Sequence, residues 1–224
     1  MSRNAFFLLL CMLTAFAVAS CTRAPEIKAP SPPPKTDRPE PSVPEPDILE
    51  LWQQLIAENR YSPEEKKLAT VNSFFNGFDF VEDIYLWGMD DYWATLFETL
   101  ARSAGDCEDI TIAKYFTLRG LSVPADRMRL TYVFSAKTGN PHIVLTFHSD
   151  DLQEPLILDT VNNHLFPISQ RNDLLPVYSF NEYGYWIARS EAGWKGKWLG
   201  SADGLSSWGD LLKRMQMNLY VYSE

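Results

Sequence analysis

The stretch GDCEDITIAKYFTLRGL, residues 105–121, predicts a buried helix with a cysteine in its first turn. Gly105 and Asp106 supply the break and the N-cap that start the helix, and Gly120 indicates its end. Cys107 therefore lies where unpaired backbone N–H groups and the helix dipole favour a thiolate. This position is typical of a nucleophilic cysteine.

The charges around Cys107 oppose that interpretation. Asp106, Glu108 and Asp109 flank the sulfur in sequence, and neighbouring negative charge makes a thiolate harder to form. Either the cysteine is inert or something offsets the carboxylates. Neither acid next to the cysteine requires a ligand, since Asp106 can be a helix cap and Glu108 a first-turn acid that the dipole favours.

Three segments of alternating apolar residues predict strands after this helix, at residues 128–135, 142–148 and 155–160. A symmetric hairpin with its turn centred on residues 150–151 pairs Ile143 with Leu158 and His142 with Asp159. Directly paired side chains share a face of the sheet, about 5 Å apart, so Asp159 would orient the imidazole of His142. A slip of one residue would place them on opposite faces.

The remaining periodic segments predict further elements of one domain. We expect helices at residues 49–57, from Ser62 onward with Pro63 as the first helical residue, at 91–103 and at 206–218, and a strand at 184–190. His164 is predicted in a loop, and His148 is predicted to be solvated at the hairpin turn. His142 is thus the histidine with a predicted carboxylate partner.

The N-terminal 47 residues are predicted to precede the folded domain. Residues 1–20 have the pattern of a lipoprotein signal peptide, an apolar run too short for a comfortable membrane span that ends in small residues before Cys21. An ordinary secretory signal is the alternative. Residues 21–47 would form the lipidated cysteine and a tether with nine of the 15 prolines, extending on the order of 75 Å. Residues 48–224 fit one domain.

Composition narrows the functional classes. The formal net charge of -9 argues against a nucleic-acid partner. Of the three cysteines, Cys11 would leave with the signal peptide and Cys21 would carry the lipid. Cys107 would then have no intrachain partner, which excludes a disulfide framework. An unpaired cysteine in an oxidising compartment is either buried and inert or chemically used.

Three segments, GDCEDITIAKYFTLRGL, PHIVLTF and PLILDTVNN, resemble the bacterial transglutaminase-like cysteine proteinases, the family of LapG-type periplasmic adhesin-releasing proteases. The similarity extends over residues 71–186. The family fold is α+β and papain/transglutaminase-like, with the catalytic Cys at the start of a helix packed on an antiparallel sheet that carries His and Asp. The resemblance assigns Cys107 as nucleophile, His142 as base and Asp159 as orienting acid.

The resemblance also implies a calcium cofactor, bound in part by Asp106 and Glu108 on either side of the catalytic cysteine. Hard carboxylate oxygens suit Ca²⁺, and a bound dication would neutralise the charge that opposes the thiolate. Two carboxylates are too few for a calcium shell, so other oxygens must contribute. The sequence does not identify them.

The family's biology sets the remaining expectations. Its substrate is the N-terminal region of a large surface adhesin, cut near paired alanines, which implies a role in biofilm dispersal. A receptor of the inner membrane that senses cyclic di-GMP sequesters the protease. The expected location is the periplasm, with a lipid on Cys21 and with Thr22 favouring the outer membrane. Two features depart from the family pattern. One is the lipid anchor, and the other is Leu96, where relatives are expected to carry proline.

The predicted chemistry is that of a thiolate–imidazolium pair which attacks a peptide carbonyl. Backbone N–H groups at the helix start, including that of Cys107, are the predicted oxyanion donors. The same triad would run a transglutaminase-like acyl transfer if an amine outcompeted water. A third hypothesis is a non-catalytic, calcium-dependent binding lipoprotein.

Overall fold

The structure is a computed structural model that describes residues 47–149, 151–152, 154–188 and 193–221. The predicted signal peptide, the predicted lipidation site Cys21 and the predicted tether up to residue 46 lie outside these residues. Within them, no helix has both the length and the apolar character of a membrane span.

The cysteine lies at the first position of one of the α-helices. The described residues form α1 (Ile48–Asn59), α2 (Glu64–Phe75), α3 (Asp83–Leu86), α4 (Leu96–Arg102), α5 (Cys107–Gly120) and α6 (Ser206–Val221). The predicted helix start at Asp106 is confirmed. The prediction that Pro63 is helical is wrong, because Pro63 is the extended N-cap of α2.

The prediction of a helix over residues 91–103 is wrong in its first turn. The helix begins at Leu96 because Thr95 and Glu98 form a reciprocal capping box. Thr95 Oγ1 accepts the Glu98 N–H at 3.3 Å, and Glu98 Oε2 accepts the Thr95 N–H at 2.7 Å. Residues 91–95, which precede the first helical residue, are therefore not helical.

The main sheet has seven antiparallel strands in the order β6-β5-β4-β3-β7-β8-β9. Their bounds are β3 (Met128–Ser135), β4 (Pro141–Phe147), β5 (Leu156–Asp159), β6 (Asn162–Pro167), β7 (Leu174–Phe180), β8 (Tyr185–Ile187) and β9 (Lys197–Gly200). A separate parallel pair joins β1 (Asp79–Phe80) to β2 (Ala104–Gly105). The loop predicted around His164 is wrong, since His164 lies in β6.

The β4–β5 register differs from the predicted one by two residues. Leu158 pairs with Leu145 rather than with Ile143. Pro155 has no N–H to give to the ladder, and pairing starts one residue later, at Leu156. A shift of two residues keeps every side chain on its predicted face, whereas a shift of one would not.

The core lies between the helices and one face of the sheet. Helix α5 packs on β4 and contributes fully buried apolar side chains, with Trp208 of α6 closing the same cluster. A smaller cluster covers the opposite face, formed by Val133, Val144, Ile157 and Leu174. Together these observations confirm the predicted α+β fold, with a cysteine-bearing helix on an antiparallel sheet.

Candidate active site

Cys107 begins α5, and only 4 % of the residue is exposed. The predicted cap is present: Asp106 Oδ1 accepts the N–H groups of Glu108 at 3.2 Å and of Asp109 at 3.4 Å. These two N–H groups are therefore engaged and do not serve as oxyanion donors. The thiol donates to Glu108 Oε2 at 2.9 Å, so a buried carboxylate directly faces the sulfur.

The chain can turn into α5 only because residue 105 is glycine. A Cβ on Gly105 would lie 2.7 Å from Asp109 Cβ, closer than side chains approach one another. The same glycine ends β2, and its carbonyl accepts the Val81 N–H at 3.0 Å. The segment after β1 is thus held beside the cysteine.

His142 and Asp159 meet as predicted, although their strands pair in another register. His142 Nε2 lies 2.7 Å from Asp159 Oδ1, and that oxygen also accepts the Val161 N–H at 3.2 Å. Continuing the observed ladder by one residue places Asp159 level with Val144, diagonal to His142 on the same face. A diagonal pair remains within reach of an imidazole.

Arg171, which the sequence analysis missed, completes this carboxylate's surroundings. Its Nη1 lies 2.7 Å from Asp159 Oδ2, an ion pair without the alignment of a hydrogen bond. Its Nε and Nη2 donate to Asp173 at 2.9 and 3.0 Å. Burial alone would raise the pKa of Asp159, yet the His142 hydrogen bond and the Arg171 guanidinium hold it well below its usual range.

The cysteine helix is tied to the strand that bears the histidine. Thr111, one turn beyond Cys107, donates from Oγ1 to the carbonyl of Ile143 at 3.2 Å. Ile143 follows His142 directly in β4. The helix start and the imidazole therefore belong to two segments joined by a buried side-chain hydrogen bond.

Five carboxylates from two chain segments converge near the sulfur. Single oxygens of Asp83, Asp106 and Asp109 lie within 4.8 Å of one another, as do those of Asp83, Asp91 and Glu108. The family resemblance implied Asp106 and Glu108 as metal ligands and left the other carboxylates unidentified. Asp109 adjoins them in the chain, whereas Asp83 and Asp91 arrive from a distant segment that the β1–β2 pairing positions.

The cluster has the electrostatics of a cation site. Burial, followed by Glu108 and Asp83, raises the pKa of Asp106 to about 9. Burial, followed by Asp106, also raises the pKa of Asp109 well above its usual value. Asp83 Oδ1 is buried and has no hydrogen-bond partner among the described residues. Hard, crowded carboxylate oxygens with one orphaned atom fit a calcium ion.

A buried lysine lies on the same helix as the cysteine. Lys114 is fully buried, and its Nζ donates to Asn72 Oδ1 at 2.8 Å, to Asn76 Oδ1 at 2.6 Å and to the Asp159 carbonyl at 3.1 Å. Burial lowers the pKa of Lys114 to about 7, against the pull of Asp159. The three oxygen acceptors favour the ammonium form, which has three donors.

Two cavities mark opposite ends of β4. One of about 500 Å³ is lined by His142, Asp159 and Arg171. A larger one of about 610 Å³ surrounds His148 and contains none of the predicted site residues. His148, predicted to be solvated, is half-buried, with its Nε2 3.2 Å from Thr146 Oγ1. Burial, with Arg129 and Lys195 nearby, lowers its pKa to about 4.

Comparison with known proteins supplies the family. The sequence model of the bacterial transglutaminase-like cysteine proteinases (BTLCP, Peptidase_C93) matches residues 54–192. The EGTA-treated structure of LapG from Legionella pneumophila is 38% identical, with a TM-score of 0.67, and the match covers 76% of this chain and 91% of that one. The calcium-bound LapG structure of the same organism is 39% identical, with a TM-score of 0.66, and the match covers 76% and 92%. No curated protein sequence matches. The chain belongs to the bacterial transglutaminase-like cysteine proteinases and is a cysteine protease.

Proposed function

We propose that the protein is a calcium-dependent periplasmic cysteine endopeptidase with Cys107, His142 and Asp159 as its catalytic triad. The bond of 2.7 Å between His142 Nε2 and Asp159 Oδ1 carries this proposal. Because the pKa of Asp159 is held low, its carboxylate is ionised and accepts the Nε2 proton. The second ring nitrogen, Nδ1, is then left with a lone pair for the thiol proton.

The reaction follows from this tautomer. In the proposed reaction the Cys107 thiol, which in this structure donates to Glu108 Oε2, transfers its proton to His142 Nδ1, and the thiolate attacks the carbonyl carbon of the scissile peptide. The C–N bond breaks as the imidazolium returns the proton to the leaving amine. Water then hydrolyses the thioester, with the imidazole accepting its proton, and the thiol is regenerated. Asp159 fixes the ring throughout.

Calcium is proposed as the cofactor, held by Asp106 and Glu108 together with Asp83, Asp91 and Asp109. Support comes from the orphaned Asp83 Oδ1 and the raised pKa of Asp106, and the similar LapG was solved both calcium-bound and EGTA-treated. When bound, the ion supplies positive charge that offsets the carboxylates opposing a Cys107 thiolate. The capping role of Asp106 is compatible with this, because a carboxylate offers two oxygens.

The proposed substrate is the N-terminal region of a large surface adhesin, whose cleavage would release it and promote biofilm dispersal. The proposed regulator is an inner-membrane receptor that responds to cyclic di-GMP. The proposed location is the periplasm, with a lipid on Cys21 anchoring the enzyme, in the outer membrane rather than the inner. The likeness to LapG and the N-terminal sequence support these proposals.

The test incubates the mature protein with N-terminal fragments of the host's large adhesin, with calcium and with EGTA, and Cys107→Ala serves as control. Mass spectrometry should find hydrolysed peptides in the calcium reaction with the wild type alone. Glutamines capped by an added amine would instead indicate acyl transfer. Absence of both products, together with no selective labelling of Cys107 by a thiol probe, would indicate a binding protein.

A further inference from the structure

The carbonyl of Asp159 is anchored from behind, independently of its side chain. It accepts from Lys114 Nζ at 3.1 Å and from Asn76 Nδ2 at 2.9 Å. The carboxylate on the other side meets His142 and Arg171. The main chain and the side chain of one residue are thus fixed by separate partners.

The anchor also holds the start of β6, on the other side of the β5–β6 turn. Asn76 Nδ2 also donates to the Asn162 carbonyl at 3.0 Å, and Asn72 Nδ2 donates to the carbonyls of Asn162 at 2.8 Å and Asn163 at 3.3 Å. Both amide oxygens accept from Lys114. Each Lys114 N–H has one oxygen partner, and a fully satisfied buried network of this kind is rigid.

Lys114 is placed to connect the two halves of the site. It lies seven residues after Cys107 on α5, a spacing that puts both on one face of the helix. Its ammonium therefore joins the helix that carries the sulfur to the turn that carries the carboxylate. An apolar side chain there would fill the space but would leave the Asp159 carbonyl with one donor fewer.

We propose that Lys114 is a positioning residue, which sets the distance between the cysteine helix and the Asp159 turn and thereby the orientation of His142. This rests on the proposed function, since a positioning role presupposes that the triad is catalytic. A lysine serving stability alone would hold the helices together without affecting the His142–Asp159 hydrogen bond. The two roles therefore differ in a measurable property of that bond.

The test compares Lys114→Met with Leu118→Ala, a control in the same helix whose side chain is fully buried in the apolar core. We expect Lys114→Met to lower kcat by about 10- to 100-fold with KM nearly unchanged, because small misplacements of catalytic groups slow the chemical step. The control should keep kcat at temperatures where it is folded. Proton NMR should show the downfield resonance of the His142 Nε2–H shifted or lost in Lys114→Met and retained in the control.

Equal kcat in the two variants, or a resonance unchanged in Lys114→Met, would overturn the proposal. Should Lys114→Met not fold, Asn76→Ser carries the test with the same expected results, because it removes the second donor to the Asp159 carbonyl from a half-buried position. The resonance is measured without substrate. A wild type that cleaves nothing would therefore refute the proposed function while the positioning of His142 is still decided.

Discussion

On the Cys107 side of the candidate site four buried carboxylates lie together, whereas on the His142 side the Asp159 carboxylate is paired with the guanidinium of Arg171. Asp106 and Asp109 have raised pKa values, because burial and their neighbours both disfavour ionisation. Asp159 has a lowered pKa although it is as deeply buried, because His142 and Arg171 surround it. Burial is common to both halves, and the difference between them is the supply of positive charge.

This contrast predicts that only the Cys107 half of the site needs an external cation. On the His142 side the negative charge of Asp159 is balanced within the chain by the guanidinium of Arg171. The acidic cluster has no such partner among the groups that shift the pKa of Asp106. Dependence on calcium should therefore be confined to the Cys107 half.

The largest effect on cleavage should come from replacing Cys107, the proposed nucleophile. Cys107→Ala removes the nucleophile and should reduce cleavage to the uncatalysed background, while the fold is retained because the residue is only a small part of the core. Peptide release and circular dichroism measure the two properties. Substantial cleavage by Cys107→Ala would end the nucleophile assignment.

Asp159→Asn tests the His142 side of the site. The imidazole loses the charge that fixes its tautomer, so kcat measured in calcium should fall by about 10³- to 10⁴-fold. Arg171 also loses one of its two partners, so the unfolding free energy should fall whether or not calcium is present. A wild-type rate in this variant would mean that the 2.7 Å contact between His142 and Asp159 has no role in catalysis.

The acidic half should respond to calcium in a way that the other half does not. Calcium at 100 times its Kd should stabilise the wild type by about 2.7 kcal/mol, and EGTA should abolish cleavage. Asp83→Asn relieves repulsion among the carboxylates, so it should raise the melting temperature without calcium and lower it with calcium. Thermal unfolding in both conditions measures this change of sign.

The control for that experiment is Asp210→Asn, which removes a carboxylate from an exposed pair with Lys213 at 2.9 Å. Its melting temperature should follow the wild type in both conditions. The contrary result would be that calorimetric titration of the metal-stripped protein gives no heat of calcium binding and that calcium leaves the melting temperature unchanged. In that case the acidic residues serve only to start helix α5. Asp106→Ala would then cost about 1 kcal/mol as a lost cap.

Arg171→Met should have a smaller effect on catalysis, because Asp159 keeps its bond to His142. We expect kcat to fall by about 10-fold and the unfolding free energy by about 3 kcal/mol, as for other buried pairs that lose one partner. The matched control is Arg127→Met, which breaks an exposed pair with Glu64 at 3.0 Å. It should cost less than about 1 kcal/mol and leave kcat unchanged. Equal losses of kcat and of unfolding free energy in the two variants would show that Arg171 has no special role.

The smallest effect concerns pH. The pKa of Asp159 is lower in the folded protein than its ordinary 3.8. Its ionic stabilisation is therefore complete above about pH 4 and is lost as the pH falls through the folded pKa. The stability gap between wild type and Arg171→Met should narrow from pH 6 to pH 3 in urea unfolding. A constant gap would show that the contact at 2.7 Å contributes through packing rather than charge.

Local patterns were enough to predict the contact between His142 and Asp159 and the helix start at Cys107, but not the charged groups around them. The cap at Asp106, the helix from Cys107 and the shared face of His142 and Asp159 follow from periodicity and turn chemistry, which act over a few residues. The register was wrong by two residues, and the prediction of their contact survived because strand side chains alternate with a period of two. The contact between Arg171 and Asp159 had no local signal, since Asp159 lies 12 residues earlier in the chain, in β5.

The sequence by itself determined which residues have the chemistry: a cysteine at a helix start, a histidine and an aspartate on neighbouring strands, and acids beside the sulfur. The tertiary structure alone decided which charges meet them. Pairing of β1 with β2 brings Asp83 to Asp106, and the β5–β6 turn reaches back to Lys114. Propensity and periodicity are properties of short segments, whereas compensation of buried charge depends on groups that only the folded chain places within a few ångströms.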